Sequence, residues 1–203
     1  MMSTLRRSRT DTRGFTLIEL IVTVAILGTV LAMSAPSFIS WIRGLAVRSS
    51  AESIRAGIEK ARLEALRRNT PMGFWLVSDT SKSLTSACVL STSGPSWVVS
   101  GASPAGKCDA SPSQSNDPLL VEKWSGSEIP GTVTIAAVDA SGTAANSISF
   151  NSLGQMQTTG TPIVQVDISS STAGVRNLRV LVQSGGSVRL CDPNVDSSDP
   201  RKC

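Results

Sequence analysis

From Phe15 the sequence reads FTLIELIVTVAILGTVLAMSAPSFISWI, and between Glu19 and Arg43 lie twenty-three residues, 20–42, without a formal charge. About twenty residues of helix cross a bilayer core, so this run is long enough to span one. Arg6, Arg7, Arg9 and Arg13 precede it against Asp11 alone. That bias keeps the amino-terminal end in the cytoplasm and sends the carboxy-terminal part outward. Three readings compete. A cleaved signal peptide would use 15–31 as its apolar region and Ala32-Met33-Ser34 as its cleavage site. A plain single-pass anchor would need no cleavage. The third takes Arg13-Gly14-Phe15-Thr16-Leu17-Ile18-Glu19-Leu20 at face value, as a short basic leader, a Gly, and an apolar helix with one acid near its start. Glu19 decides among them. A carboxylate inside an apolar segment costs roughly 2.5–3.5 kcal/mol on insertion scales and marks a paired, functional position. Neither simpler reading accounts for it.

Composition narrows the function. The 203 residues carry 19 basic and 15 acidic side chains and neither His nor Tyr. The first fourteen residues hold +3 of the +4 formal charge, leaving 15 basic against 14 acidic, which disfavours a polyanion-coating protein. Without His, a Ser-His-Asp or Cys-His relay cannot be built and the commonest zinc ligand is gone. No nucleophile sits in a motif such as G-x-S-x-G. The sequence calls for no enzyme, no cofactor and no metal.

Beyond the apolar run, Val47, Ala51, Ile54, Ile58, Ala61 and Ala65 step by four, three, four, three, four, one stripe of an amphipathic helix. Arg48, Glu52, Arg55, Glu59, Lys60, Arg62, Glu64, Arg67 and Arg68 fall on the opposite, solvated face. Each Glu has a basic residue three or four positions away. The spacing predicts one helix over 15–68, membrane-spanning and assembling over 15–42 and amphipathic over 43–70, stopped by Asn69-Thr70-Pro71. Pro36 should kink it where neighbouring helices cover the freed carbonyl. The basic excess of 43–68 reads as a solvated face or as contact with anionic lipid headgroups.

Residues 71–203 are rich in Ser, Thr and Gly with short β-type runs at 73–78, 87–91, 97–100, 119–124, 132–138, 147–151, 163–168, 177–183 and 187–191, separated by turn signals. The reading is an α+β fold in which the second half of the helix covers one face of an antiparallel sheet. Residues 100–117 lack a strand pattern and read as an exposed insertion. Cys88, Cys108, Cys191 and Cys203 all lie in the exported part, and without a C-x-x-C pair disulfides are the stronger reading than zinc. Three pairings are possible. Local closure favours Cys88–Cys108 around the insertion and Cys191–Cys203 around the tail, where a thirteen-residue loop gains on the order of 3 kcal/mol in the chain-entropy model.

The segment Gly14-Phe15-Thr16-Leu17-Ile18-Glu19 resembles the type III signal of type IV pilins and type II secretion pseudopilins. The resemblance implies cleavage by prepilin peptidase after Gly14, so that 1–14 is a leader, and N-methylation of Phe15. Cleavage creates a positive α-amino group at Phe15. Glu19 would then set axial register in a stack of apolar helices by meeting a neighbouring subunit's amine, an ion pair that is strong in low dielectric. A local alternative is a Glu that snorkels to the interface, one turn into the helix.

Ala61-Arg62-Leu63-Glu64-Ala65, Ser149-Phe150-Asn151-Ser152-Leu153-Gly154, and Asn177 to Val182 followed by Gly186-Ser187-Val188-Arg189-Leu190-Cys191 are similar to segments of the GspH/FimT family of minor pilins and pseudopilins. That family implies a pilin-like fold and a structural subunit of the FimT/FimU kind, placed at or near a pilus tip where it helps initiate assembly. It also implies a single-pass inner-membrane protein with a periplasmic head that ends in a cell-surface pilus. The implied partners are other major and minor pilins, prepilin peptidase, the inner-membrane assembly platform and membrane lipid. The H-type pseudopilin of a type II secretion system shares every motif quoted. One branch binds DNA in natural transformation through a Gly-Arg-x-Arg tail. Here Gly186-Ser187-Val188-Arg189 retains only the second Arg, which removes about one phosphate contact. Arg176, Arg179, Arg201 and Lys202 could add contacts beside Arg189, but Asp192, Asp196 and Asp199 lie close by and disfavour DNA.

Overall fold

The computed structural model describes residues 14–203, apart from the side chains of residues 35 and 36. Residues 1–13 of the expected leader 1–14 lie outside the described residues, and so does the side chain on which the expected kink at Pro36 turns. One long helix, α1 (Leu17–Arg68), is followed by eight strands. These are β1 (Met72–Val77), β2 (Ser96–Ser100), β3 (Leu120–Trp124), β4 (Val133–Val138), β5 (Ser147–Phe150), β6 (Gln165–Ser170), β7 (Leu178–Val182) and β8 (Val188–Cys191). The chain forms two compact units that part between Ile39 and Ser40.

In the first unit every described side chain of 17–39 is exposed, and its Leu, Ile and Val residues point to all sides. A helix apolar all round belongs in lipid or inside a bundle of helices, and this one is long enough to cross a membrane.

The second unit is built on the stripe that the sequence displays. Val47, Ala51, Ile54, Ile58, Ala61 and Ala65 have no exposed surface. They share one apolar core with Phe74 and Leu76 of β1, Trp97 of β2, Phe150 of β5, Ile168 of β6 and Val180 of β7. Small residues on the helix let the sheet come close. A Cβ on Gly57 would stand 2.7 Å from the Phe74 ring. Trp97, tilted against Phe74 at 5.7 Å between ring centres, donates its indole N–H to Ser53 Oγ at 2.9 Å, so this buried polar atom stays bonded.

The strands form two antiparallel sheets rather than one, in the orders β3-β2-β1-β5 and β4-β6-β7-β8. Alternation marks which face of a strand is buried but not which strand it pairs with. The segment before β6 stitches the sheets together. Ile163 donates its N–H to Ser147 in the first sheet, and Val164 donates to Val138 in the second. Those bonds are why β6 starts at Gln165 and not at 163. The run 87–91 is not a strand. Leu90 makes a lone bridge to Val77, and the chain turns away through the Cys88 N–H bond to Thr85 and the disulfide at Cys88.

Cysteines are joined as Cys88–Cys108 and Cys191–Cys203. The first bond gives the insertion a small core of its own, in which Cys88, Cys108, Val77, Leu84, Val98 and Leu120 are buried. The insertion is therefore not wholly exposed. Lys123 fixes it from β3 by donating to the carbonyls of Cys108, Asp109 and Ala110 at 2.8–3.2 Å. On the other side, Asp79 accepts backbone N–H groups from Ser81 and Thr85, which hold its carboxyl well below the usual carboxylate range.

Glu64 departs from the solvated face assigned to it. It is only 6% exposed and accepts Arg67 at 2.7 Å and Arg68 at 2.8 Å. Burial pushes its carboxyl up, but the hydrogen bonds from Arg67 and Arg68 outweigh burial and hold it below the ordinary value. A depressed carboxyl stabilises the fold above its unfolded pKa, and that contribution fades as pH falls through the folded pKa. Glu64→Gln should therefore destabilise the protein by about 2 kcal/mol at pH 7. The difference between the two proteins should shrink steadily below about pH 4, as read from denaturant unfolding over a pH series.

Candidate functional site

Gly14, Phe15 and Thr16 precede α1 without regular structure, and Phe15 is 82% exposed. The Gly14–Phe15 peptide bond thus lies on an open segment just before the helix. Thr16 caps the helix. Its Oγ1 accepts the Glu19 backbone N–H at 3.3 Å, and its carbonyl accepts that of Leu20 at 3.1 Å. Thr16-x-x-Glu19 has capping-box spacing, and a carboxylate in the first turn faces the positive end of the helix dipole. Glu19 accordingly has a local reason to be where it is. The signal stood in the sequence, but the apolar run around it hides a cap that would be plain before an ordinary helix.

The arginines considered for DNA contact do not form one basic surface. Arg179 of β7 reaches across to Asp167 of β6 with two bonds, Nε at 2.6 Å and a terminal nitrogen at 3.2 Å. Those residues are register partners in adjacent strands. Arg176 pairs through Nε with Asp192 at 3.2 Å, and Asp192 is almost fully buried. Arg189 of β8 donates to the Lys202 carbonyl at 2.5 Å. Arg201 is held by Asp199 at 2.6 Å, and the Arg201 side-chain hydrogen bond is the main cause of the depressed Asp199 carboxyl. Arg179 is thus tied across to β6, and Arg176, Arg189 and Arg201 to partners at the end of β8 or in the tail.

Three segments that are separate in sequence, 61–65, 149–154 and 186–191, come together around Arg62. Its Nε donates to the Gly154 carbonyl at 3.0 Å. Gly154 has φ +72° and Gly186 has φ +81°. A Cβ on Gly186 would stand 2.2 Å from that carbonyl oxygen and 2.9 Å from Arg62 Nε. Gly186 is therefore required twice, for its backbone angle and for the close approach. The joint fastens the β7–β8 turn and the turn after β5 to the helix.

Residues 50–195 match the family model described as Type II transport protein GspH. Residues 9–35 match the prokaryotic N-terminal methylation motif. No curated protein matches the chain. Among solved structures, the type IV minor pilin FimU of Pseudomonas aeruginosa is 17% identical with a TM-score of 0.45, over 77% of this chain and 94% of that one. The minor pseudopilin EpsH from the Type 2 Secretion System of Vibrio cholerae is 15% identical with a TM-score of 0.44, over 73% and 98% respectively. At that distance neither likeness bears on function.

Proposed function

We propose that this chain, which belongs to the GspH family of type II transport proteins, is a minor type IV pilin. It would be a structural subunit without catalysis of its own, held in the inner membrane, cleaved after Gly14, and incorporated at or near the pilus tip where it helps start assembly. The observation that carries the reading is the apolar stretch 17–39 of α1, whose described side chains are all exposed. Such a segment needs lipid before assembly and other helices after it, which is what a filament subunit requires. Glu19 in its first turn supports the register role described above, and the methylation-motif match over 9–35 supports processing at Phe15.

Maturation gives a direct check. The intact mass of the protein extracted from membranes should lack residues 1–14 and should carry one extra methyl group.

A second reading, the H-type pseudopilin of a type II secretion system, is favoured by the family match over 50–195. Disrupting the gene separates the two. Loss of twitching with secreted enzymes unchanged supports the pilin, whereas a secretion defect with intact pili replaces it with the pseudopilin. DNA binding is not carried forward, because Arg176, Arg179 and Arg189 are each engaged within the head.

A further inference from the structure

We propose that the joint around Arg62 is the docking surface for a different protein chain, one that presents apolar side chains rimmed by carboxylates. Among the described residues beyond Leu45, only four large apolar side chains are exposed, Leu63, Leu66, Leu153 and Val89, at 60%, 44%, 71% and 57%. Three of the four meet at the joint. Leu63 and Leu66 lie one turn apart on α1, and a Cβ on Gly154 would stand 3.1 Å from Leu66 Cδ1. Leu153 precedes that glycine. Beside Leu63 a socket of about 310 Å³ opens between Arg62 and Glu59 of the helix and Ser187 and Val188 of the β7–β8 hairpin. A single exposed apolar residue such as Val89 needs no explanation, whereas a cluster with a socket beside it marks a contact site. The bond from Arg62 to the Gly154 carbonyl and the close approach of Gly186 hold the three segments in place. A surface fixed in this way loses little freedom when it binds. A lipid layer has no use for a fixed socket, so the shape favours a folded protein.

Charge selects among proteins. Arg62 forms no ion pair among the described residues, since its bond goes to a neutral carbonyl. Arg67 and Arg68 share one carboxylate, Glu64. Glu59 is matched by Arg55 at 2.9 Å. Three guanidiniums against Glu64 therefore leave a net charge of +2 around the leucines. A second copy would bring the same sign to the same patch and be repelled. Carboxylates on a different chain are attracted, and they fix how it docks. The inference rests on the filament-subunit reading above, which supplies neighbouring chains.

The test uses the full chain in intact cells, with the photo-crosslinking residue p-benzoylphenylalanine in place of the exposed Gln155. One main adduct should form, to a chain other than this one, through a peptide that contains apolar residues and Asp or Glu. Leu63→Ser with Leu153→Ser should lower its yield at least tenfold, because burying one leucine is worth about that factor. Both side chains are more than half exposed, so the variant should reach the membrane in parental amount and melt as the parent does. Leu153→Ser alone, at the most exposed of the three positions, should lower the yield severalfold. Val89→Ser lies outside the patch and should change nothing. The proposal is overturned if no adduct forms, if the adduct is to lipid or to a second copy, or if its contact peptide lacks an acid. It is also overturned if the leucine variants crosslink like the parent, or if Val89→Ser is equally damaging. In each of those cases the processed and methylated mass would leave the pilin reading standing. An adduct that meets every condition, on a chain absent from sheared filaments, would instead overturn the pilin reading and keep this surface.

Discussion

Filaments sheared from cells that make Glu19→Ala should contain at least tenfold less of this chain than filaments with the parent protein, although equal amounts reach the membrane. Two physical effects could produce this loss, and they can be separated. If Glu19 acts between subunits, its carboxylate meets a neighbour's Phe15 amine in low dielectric, where an uncompensated charge costs several kcal/mol. If it acts only on its own helix, its value lies in the Thr16-x-x-Glu19 cap, worth about 1 kcal/mol. Glu19→Gln distinguishes these, because Gln suits the third position of a capping box but cannot form the ion pair. The intersubunit reading predicts that Glu19→Gln fails like Glu19→Ala, whereas recovery to parental levels would leave the cap as the whole explanation. Immunoblots of sheared filaments against membrane fractions make the measurement.

Gly186→Ala should lower head stability by about 4 kcal/mol. A non-glycine residue at φ +81° costs roughly 1–2 kcal/mol. The new Cβ, 2.2 Å from the Gly154 oxygen, must push that turn aside, which adds about 1–3 kcal/mol. The shift also strains the bond from the charged Arg62 to the same oxygen, worth about 1.5–3 kcal/mol. For a unit of this size the sum corresponds to about 8–16 °C in Tm. Gly185→Ala is the control. Open space surrounds its Cβ position and its φ is not left-handed, so it should stay within about 0.5 kcal/mol of the parent. Thermal unfolding followed by circular dichroism reads both. Equal melting of the two variants would mean that the joint at Arg62 is slack.

Much of the head was readable because local pattern and burial coincide. The stripe from Val47 to Ala65 has a helical period, and its members are buried because a helix can offer only one face to a sheet. The eight strands lie within two residues of where apolar runs and turn signals suggested, and the two local disulfides tie down the insertion and the tail. The run 87–91 misled because a short apolar stretch beside a cysteine has the composition of a strand without the freedom to extend as one. Glu64 misled for the converse reason. Its spacing to Arg67 and Arg68 is that of a surface pair, yet the helix turns it inward, with Arg68 beside it and Arg67 reaching it from solvent.

Taken by itself, the sequence determined the quantities that depend on near neighbours along the chain. These are an uncharged run long enough for a bilayer, the acid and open peptide bond at its start, the amphipathic stripe, and the family. The division of strands between two sheets was decided only by tertiary structure, as were the tying of Arg176, Arg179 and Arg189 to partners within the head and the meeting of Arg62, Gly154 and Gly186. Periodicity records which side of an element is apolar, because water acts on each residue locally. It holds no record of which distant carboxylate or carbonyl will arrive beside a given arginine, since that depends on how whole elements pack.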